Sequence, residues 1–153
     1  ENKLNTIEDL GYGKGYIAAL GHHRALLGKL TQLKRERGMA CVLLAHSQVK
    51  RFEDPTTEAF DRFEIKLHRR ASDLYTEFAD VVGFAQARTT TKETTSSFGT
   101  KKIKAVGSGE RVLRVASRPN FVAKTRYQMP DELPLEWSAL IKAITGKQEQ
   151  TDG

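Results

Sequence analysis

Hydrophobic side chains recur at helical spacing in three parts of the chain. The longest pattern predicts a helix from about Lys14 to Arg37, with apolar positions three, four and seven residues apart. Gly38 follows at the place where a left-handed residue commonly ends a helix. Shorter patterns predict a second helix over residues 67–78 and a third that begins near Trp137. The spacing therefore indicates three amphipathic helices.

Other segments have the character of strands and loops. Residues 40–45 are continuously apolar, as strands of parallel sheets covered by helices are, and residues 80–87 form a second candidate strand. The order strand, helix, strand predicts a parallel step, and the polar residues 49–62 predict a loop. Residues 111–117 and 121–127 alternate around a turn and predict an antiparallel hairpin. The expected fold class is therefore α/β, with a C-terminal antiparallel hairpin and a short helix.

Composition places the chain among ordinary globular proteins. It has 153 residues, of which 39% are hydrophobic and 29% are charged, and this suffices for one domain with a core. The single cysteine, Cys41, excludes a disulfide scaffold and a zinc site built from cysteine pairs. No apolar run approaches the ~20 residues of a membrane span, so no membrane partner is expected.

The net charge of +6 is unevenly distributed along the chain. Residues 86–126 contain ten basic residues and two acidic ones, Glu93 and Glu110, whereas the rest of the chain is slightly acidic. Such a concentration of positive charge suggests a surface that faces a polyanion. The alternative is a solvated basic loop, and charge alone does not separate the two. Residues 88–99 are rich in threonine and serine and predict a loop or a hairpin tip.

The glycine-rich segment Gly11–Gly15 suggests a phosphate loop but fails the sequence test. A phosphate loop reads G-x-x-x-x-G-K-[ST], with a hydroxyl after the lysine to hold magnesium, whereas Gly15 follows Lys14 here. The dinucleotide fingerprint fails as well. We interpret the segment as a flexible entry into the first helix, from which Lys14 is still available to a phosphate approaching from another direction.

Polar side chains after the first predicted strand are candidates for ligand contact. His46, Ser47 and Gln48 follow the apolar run directly, and ligands bind at the carboxyl ends of strands in open α/β sheets. For His46, a buried histidine bonded to nearby backbone is an equal alternative. The four histidines lack the H-E-x-x-H spacing, so no metal site is expected.

Two cations, Lys124 and Arg126, alternate along the last predicted strand and are expected to share one of its faces. Such a pair suits an anionic ligand. It equally suits an edge strand that charge protects from aggregation, and composition does not decide between these interpretations.

Four segments of the chain carry a common resemblance. They are residues 7–16, residues 38–55, residues 61–68, and residues 109–119 together with 123–130. Taken together, they resemble RecA-like P-loop ATPases of phages and bacteria, the AAA-type ATPases linked to DNA recombination and single-strand annealing. They occur in the expected order and span most of the chain.

The resemblance implies a division of the chain. Residues 1–87 would be the C-terminal part of a RecA-like ATPase core, residues 88–110 a basic Thr/Ser-rich loop, and residues 111–145 the hairpin and C-terminal helix of the same domain. Residues 146–153 would be a tail. The family's phosphate loop and magnesium-binding aspartate would lie upstream. The complete protein would then bind ATP and Mg²⁺, whereas this chain is expected to bind neither tightly and to contain no catalytic residue.

The same resemblance has a consequence for the predicted sheet. The family strand that matches residues 40–46 lies between the phosphate-loop strand and the magnesium-aspartate strand, and both are missing here. Buried backbone groups without partners cost about 1–3 kcal/mol each. We therefore expect the strand to re-pair, to stay incomplete or to depend on other chains.

The resemblance also implies accessory roles near the first predicted strand. His46, Ser47 and Gln48 match a cluster that senses the γ-phosphate of the nucleotide. Lys50 and Arg51, in the loop that follows, would couple the nucleotide to DNA.

Further roles are implied in the second half of the chain. Lys124 and Arg126 match cations that reach the nucleotide of an adjacent subunit, although Thr125 stands where relatives often have asparagine. Contacts to nucleic-acid phosphates, sensitive to salt, are expected from Lys101, Lys102 and Lys104.

The implied function is ATP-dependent DNA recombination or annealing by a homo-oligomer in the cytoplasm of a bacterial host, with single-stranded DNA as the expected partner. One alternative is a nucleic-acid-binding module that uses no nucleotide. The other is a degenerate, non-catalytic interaction subunit.

Overall fold

The computed structural model describes residue 6, residues 10–95 and residues 101–146, and for residues 89–95 and 101–108 it describes the backbone alone. The helices of this part are α1 (Lys14–Arg37), α2 (Arg69–Phe78) and α3 (Trp137–Thr145). Its strands are β1 (Ser47–Phe52), β2 (Phe60–Ile65), β3 (Val81–Val82), β4 (Phe84–Thr95), β5 (Lys101–Arg114), β6 (Lys124–Thr125) and β7 (Glu132–Pro134).

The chain divides into two compact units. Unit 1 comprises Glu1–Arg51 and Phe63–Ala79, and unit 2 comprises Phe52–Arg62 and Asp80–Gly153. Helices α1 and α2 belong to unit 1, whereas strands β3 to β7 and helix α3 belong to unit 2. Strands β1 and β2 form a two-stranded sheet of their own.

Helix α1 begins and ends where the hydrophobic spacing predicts. Gly38 ends it with φ 61° and ψ 25°, a left-handed conformation that glycine adopts without a Cβ clash. Three cations in the last turn complement the negative end of the helix dipole. They are Lys34, Arg35 and Arg37.

The glycine-rich segment forms a tight turn into α1. Gly11, Tyr12 and Gly13 all have positive φ, at 58°, 46° and 71°. The Lys14 amide donates to the Gly11 carbonyl at 3.0 Å and thereby closes the turn. The segment is thus an ordered left-handed entry into the helix.

Unit 1 is held together where α1 packs against α2. Leu20 and Leu27 of α1 and Ala71 of α2 are the apolar side chains buried in the described part of this unit. Nδ1 of His23 lies 2.9 Å from the Tyr75 hydroxyl, and this hydrogen bond fixes the register between the two helices. The core is therefore small and depends on one helix pair.

The apolar run does not form the predicted strand. Residues 38–46 lack regular structure, and Val42, Leu43 and Leu44 are 61%, 51% and 95% exposed. The reason is pairing: strands are held by hydrogen bonds to neighbouring strands, and no strand of the described residues pairs with this segment. Its strongest anchor is the His46 carbonyl, which accepts a hydrogen bond from the Lys66 amide at 2.8 Å.

The prediction of a loop over residues 49–62 is wrong at both ends, because half of these residues lie in β1 and β2 and only residues 53–59 connect the strands. Burial alternates along β1 and through most of β2. The Phe52 and Phe60 rings lie 5.4 Å apart, and the Arg62 guanidinium lies 3.8 Å from the centre of the Phe52 ring. Such aromatic pairing stabilises a hairpin. Because the segment is polar overall, its alternation of exposed and half-buried residues was not recognised from the sequence.

The turn between β1 and β2 is organised by Asp54. Its carboxylate accepts hydrogen bonds from the Thr56 hydroxyl at 2.6 Å and the Thr56 amide at 2.9 Å. These two bonds favour the charged carboxylate and lower the pKa of Asp54 below its usual value. At pH values above the usual pKa of an aspartate, both hydrogen bonds stabilise the turn in full. This stabilisation is lost as the pH falls through the lowered pKa of Asp54.

Unit 2 is built on a long antiparallel hairpin of β4 and β5. Phe84 lies opposite Arg114 at its base and Thr95 lies opposite Lys101 at its far end. Residues 88–95 and 101–110, predicted as a loop or hairpin tip, thus lie in strands. Residues 96–100 lie outside the described part.

The predicted C-terminal hairpin is replaced by other antiparallel pairs. Strand β5 pairs with β7, and β6 pairs with β3, so a single bridge between Arg118 and Phe121 remains of the expected pairing. Phe121 is 2% exposed and stacks on Phe84 with ring centres 5.0 Å apart. Because the Phe121 ring is buried in the core, the chain bends inward at this residue and does not continue as a strand.

The buried side chains of unit 2 define its core. Those of the described residues are Val112, Val115, Phe121, Ala123 and Leu133. The pairings β3–β6, β4–β5 and β5–β7 are all antiparallel. A mixed α/β composition is confirmed, but the predicted core of parallel strands is not seen in the part of the chain that the structure describes.

Leu133→Ala tests the core of unit 2. Leu133 is 7% exposed, whereas its neighbour Leu135 is 39% exposed. We expect Leu133→Ala to lower the free energy of unfolding by about 2–5 kcal/mol because it leaves a cavity. Urea unfolding, followed through the fluorescence of Trp137 in α3, measures the change in this unit. Leu135→Ala is the matched control, and equal losses in both variants would contradict this core assignment.

Candidate functional site

Of the three predicted nucleotide-sensing residues, His46 directly precedes β1, and Ser47 and Gln48 begin it. His46 and Ser47 are exposed, and Gln48 is half-buried. The Gln48 side-chain amide donates to the Ile65 carbonyl at 3.3 Å. These residues therefore follow an unpaired segment and open a hairpin, instead of ending a buried strand as the sequence predicts.

Gln48 and Lys50 line a shallow groove in unit 1. Its volume is about 430 Å³, and its other lining residues are Tyr16, Lys66, Leu67 and His68. The rings of Tyr16 and His68 are stacked, with centres 4.3 Å apart and planes 12° apart. The groove thus combines an aromatic pair with two ammonium groups.

Sequence reasoning missed three of these groove residues. Tyr16 lies in the first turn of α1, and Lys66 and His68 lie directly before α2. All three residues fall in segments that carry the family resemblance, residues 7–16 and 61–68, but the resemblance assigned none of them a role. Only the packing of α1 against α2 brings these residues together. Arg51, predicted to couple nucleotide to DNA, is exposed on β1 and is not a lining residue.

The two predicted trans-acting cations differ in their surroundings. Lys124 is half-buried in β6 opposite Val82. Arg126 follows the strand, and its Nη1 lies 2.8 Å from the Asp80 carboxylate. Its amide also donates to the Asp80 carbonyl at 3.0 Å. Because β6 ends at Thr125, the strand alternation that would place both cations on one face does not extend to Arg126.

Four arginines of the basic stretch are paired with carboxylates. Arg118 contacts Asp131 at 2.7 Å, and Arg114 contacts Glu132 at 2.8 Å. Arg88 pairs with Glu132 as well, and with Glu110 at 3.4 Å. Arg126 pairs with Asp80 as described. Four of the ten basic residues in 86–126 are thus paired with carboxylates within unit 2.

The predicted nucleic-acid contacts of the hairpin are Lys101, Lys102 and Lys104. Their backbone lies in β5, opposite Thr95, Thr94 and Lys92. Their side chains lie outside the described part, so this role stays a prediction.

The described residues contain neither a metal-ligand cluster nor a membrane-spanning helix. No group of three or more His, Cys, Asp or Glu among them is placed to hold a metal ion. None of the described helices combines the length and apolar character that crossing a bilayer requires.

A comparison with protein-family models matches residues 1–127 to a family described as AAA domain. The chain belongs to this AAA domain family. The match includes the proposed sensing residues, the groove and both predicted trans-acting cations. Comparisons with curated proteins and with solved structures found no match.

Membership of the AAA domain family assigns the chain to P-loop ATPase-like, nucleotide-binding domains. Nucleotide and magnesium binding are general properties of such domains. The printed sequence contains no G-x-x-x-x-G-K-[ST] motif, and the described residues contain no acidic cluster for the metal. The residues described here therefore do not by themselves fit a bound complex of ATP with magnesium.

Asp80→Asn tests the pairing that holds Arg126 in this AAA domain. The β3–β6 backbone pairs stay in place, so we expect the free energy of unfolding to fall by about 1 kcal/mol or less. The released guanidinium is expected to react faster with phenylglyoxal, as followed by peptide mass spectrometry. Asp131→Asn is the matched control, because it releases Arg118 instead. An unchanged rate at Arg126 in Asp80→Asn would show that the pair does not restrain it.

Proposed function

We propose that this chain is the C-terminal part of a RecA-like ATPase that acts in DNA recombination or single-strand annealing. In the complete protein, ATP hydrolysis would be coupled to DNA binding in a homo-oligomer. The observation that carries the proposal is an AAA domain match over residues 1–127 together with an exposed apolar run at residues 40–45.

The exposed apolar run supports the proposal that the complete sheet contains further strands from outside these residues. Val42, Leu43 and Leu44 are each more than half exposed, and burying such a side chain stabilises a protein by about 1.5–3 kcal/mol. The backbone of the run has hydrogen-bonding groups that a strand on either side would satisfy. A phosphate-loop strand and a magnesium-aspartate strand from outside these residues would provide both kinds of contact.

The placement of His46, Ser47 and Gln48 supports a sensing role. They directly follow the exposed run, so docking of the run into a complete sheet would bring them to its carboxyl edge, where ligands bind in α/β sheets. His46 and Ser47 are exposed and thus accessible to a phosphate. Lys50 and Arg51 continue along β1, where they would couple that edge to DNA.

Arg126 suits a role across a subunit interface. Its side chain is 52% exposed although it is paired with Asp80. A guanidinium held in this way is positioned while part of it stays accessible, and an arginine supplied by a neighbouring subunit stabilises the charge of phosphoryl transfer. Lys124 would act beside it on the same nucleotide.

The proposal is tested by comparing this chain with the same chain extended by the residues that its gene encodes upstream. We expect no ATP turnover by the chain alone, since the phosphate cradle is missing, and DNA-stimulated turnover by the extended protein. In the extended protein, Arg126→Ala should lower kcat by about 10³- to 10⁵-fold. Lys29→Ala, which changes an exposed cation of α1, should leave kcat unchanged.

Mixing experiments test whether Arg126 acts in trans. Arg126→Ala mixed with a variant that lacks the phosphate-loop lysine should recover activity, because one interface then contains both groups. An upstream region without a phosphate loop, or full activity of Arg126→Ala, would contradict the proposal. Salt-sensitive DNA binding that ATP does not change would instead favour the nucleic-acid-binding module.

A further inference from the structure

The groove of unit 1 is positively charged without compensation from its neighbours. Lys50 is half-buried and Lys66 is exposed, and neither forms an ion pair with another described residue. Gln48 also lines the groove, and its side-chain amide donates to the Ile65 carbonyl at 3.3 Å. Two unpaired ammonium groups in one concavity attract a ligand with negative charge.

The same groove presents an aromatic surface. One face of the His68 ring covers Tyr16 at 4.3 Å, yet His68 is exposed. The exposed part of the residue is therefore the part that does not face Tyr16. A flat ligand that stacks there would extend the existing pair by a third ring.

The backbone of His68, and not a hydrogen bond of its side chain, forms the cap of α2. The residue lies at the N-terminal cap of α2 but makes no side-chain cap hydrogen bond. Its carbonyl accepts hydrogen bonds from the Ala71 and Ser72 amides, both at 2.9 Å. The imidazole contributes nothing to the cap and is available to a ligand.

We propose that this groove binds single-stranded nucleic acid, with an unpaired base stacked on His68 and backbone phosphates at Lys50 and Lys66. Stacking platforms flanked by cations are how proteins bind single strands without sequence preference. A base inside a duplex has no free face for such a contact. This site deepens the DNA-binding half of the proposed function and is independent of ATP hydrolysis.

The test uses the purified full chain and a fluorescent oligothymidylate of about 20 nucleotides, longer than the ~4–16 nucleotides of typical single-strand sites. Anisotropy gives Kd between about 50 and 200 mM salt. We expect His68→Ala to weaken binding by about 5- to 150-fold, which corresponds to the loss of one stacked base. His68→Phe should restore binding because it retains a ring face.

The lysines are tested through the salt dependence. In the double variant Lys50→Ala/Lys66→Ala, the slope of log Kd against log salt should flatten by about 0.7 for each lost phosphate contact. His22→Ala and Lys29→Ala change exposed residues of α1 outside the groove. Both controls should bind like the wild type, and circular dichroism verifies that every variant is folded.

Three outcomes would overturn the groove assignment. Wild-type Kd and salt slope in the groove variants would place the strand elsewhere and leave the proposed DNA binding intact. No binding by the wild-type chain at low salt would contradict that DNA binding as well. If ATP alone binds in a His68-dependent manner and displaces the oligonucleotide, the groove is a mononucleotide site and the strand proposal is wrong.

Discussion

A β-strand is stable only when neighbouring strands satisfy its backbone, and this requirement is not met for residues 40–46. The run has the composition of a central strand, yet it lies unpaired, with Leu44 95% exposed. The polar residues after it, His46 to Gln48, owe their position to where this segment ends. The placement of these three residues thus depends on a segment with which no strand of the described residues pairs.

The need of a strand for neighbouring strands also explains which elements the sequence predicts. The bounds of α1 and its Gly38 cap follow from the local spacing of apolar residues and from glycine's freedom at positive φ. Strands depend on partners distant in sequence. The candidate strand over residues 80–87 is therefore present, but its partners are β5 and β6 and run antiparallel to it. The hairpin β1–β2 was missed because overall polarity concealed its alternation.

The candidate site, like the fold, is predictable from the sequence only where it depends on local patterns. The resemblance grouped Gln48 with His46 and Ser47, and Lys50 with Arg51, so it did not place Gln48 and Lys50 in one groove. Tyr16 and His68 are 52 positions apart in the sequence, and each has an ordinary local context. Their stacking is a product of α1 packing on α2 through Leu20, Leu27 and Ala71, which no local pattern reveals.

The two kinds of cation have different roles in the two units. Guanidinium groups form planar, directional pairs with carboxylates, and in unit 2 the paired arginines connect β4, β5 and β7 through Glu132. An ammonium group is a compact point charge that serves phosphates without fixed geometry. The groove of unit 1 contains lysines of this kind, and no carboxylate of the described residues pairs with them. Net charge along the sequence therefore does not distinguish the paired arginines of unit 2 from the two lysines of the groove, which form no ion pair with another described residue.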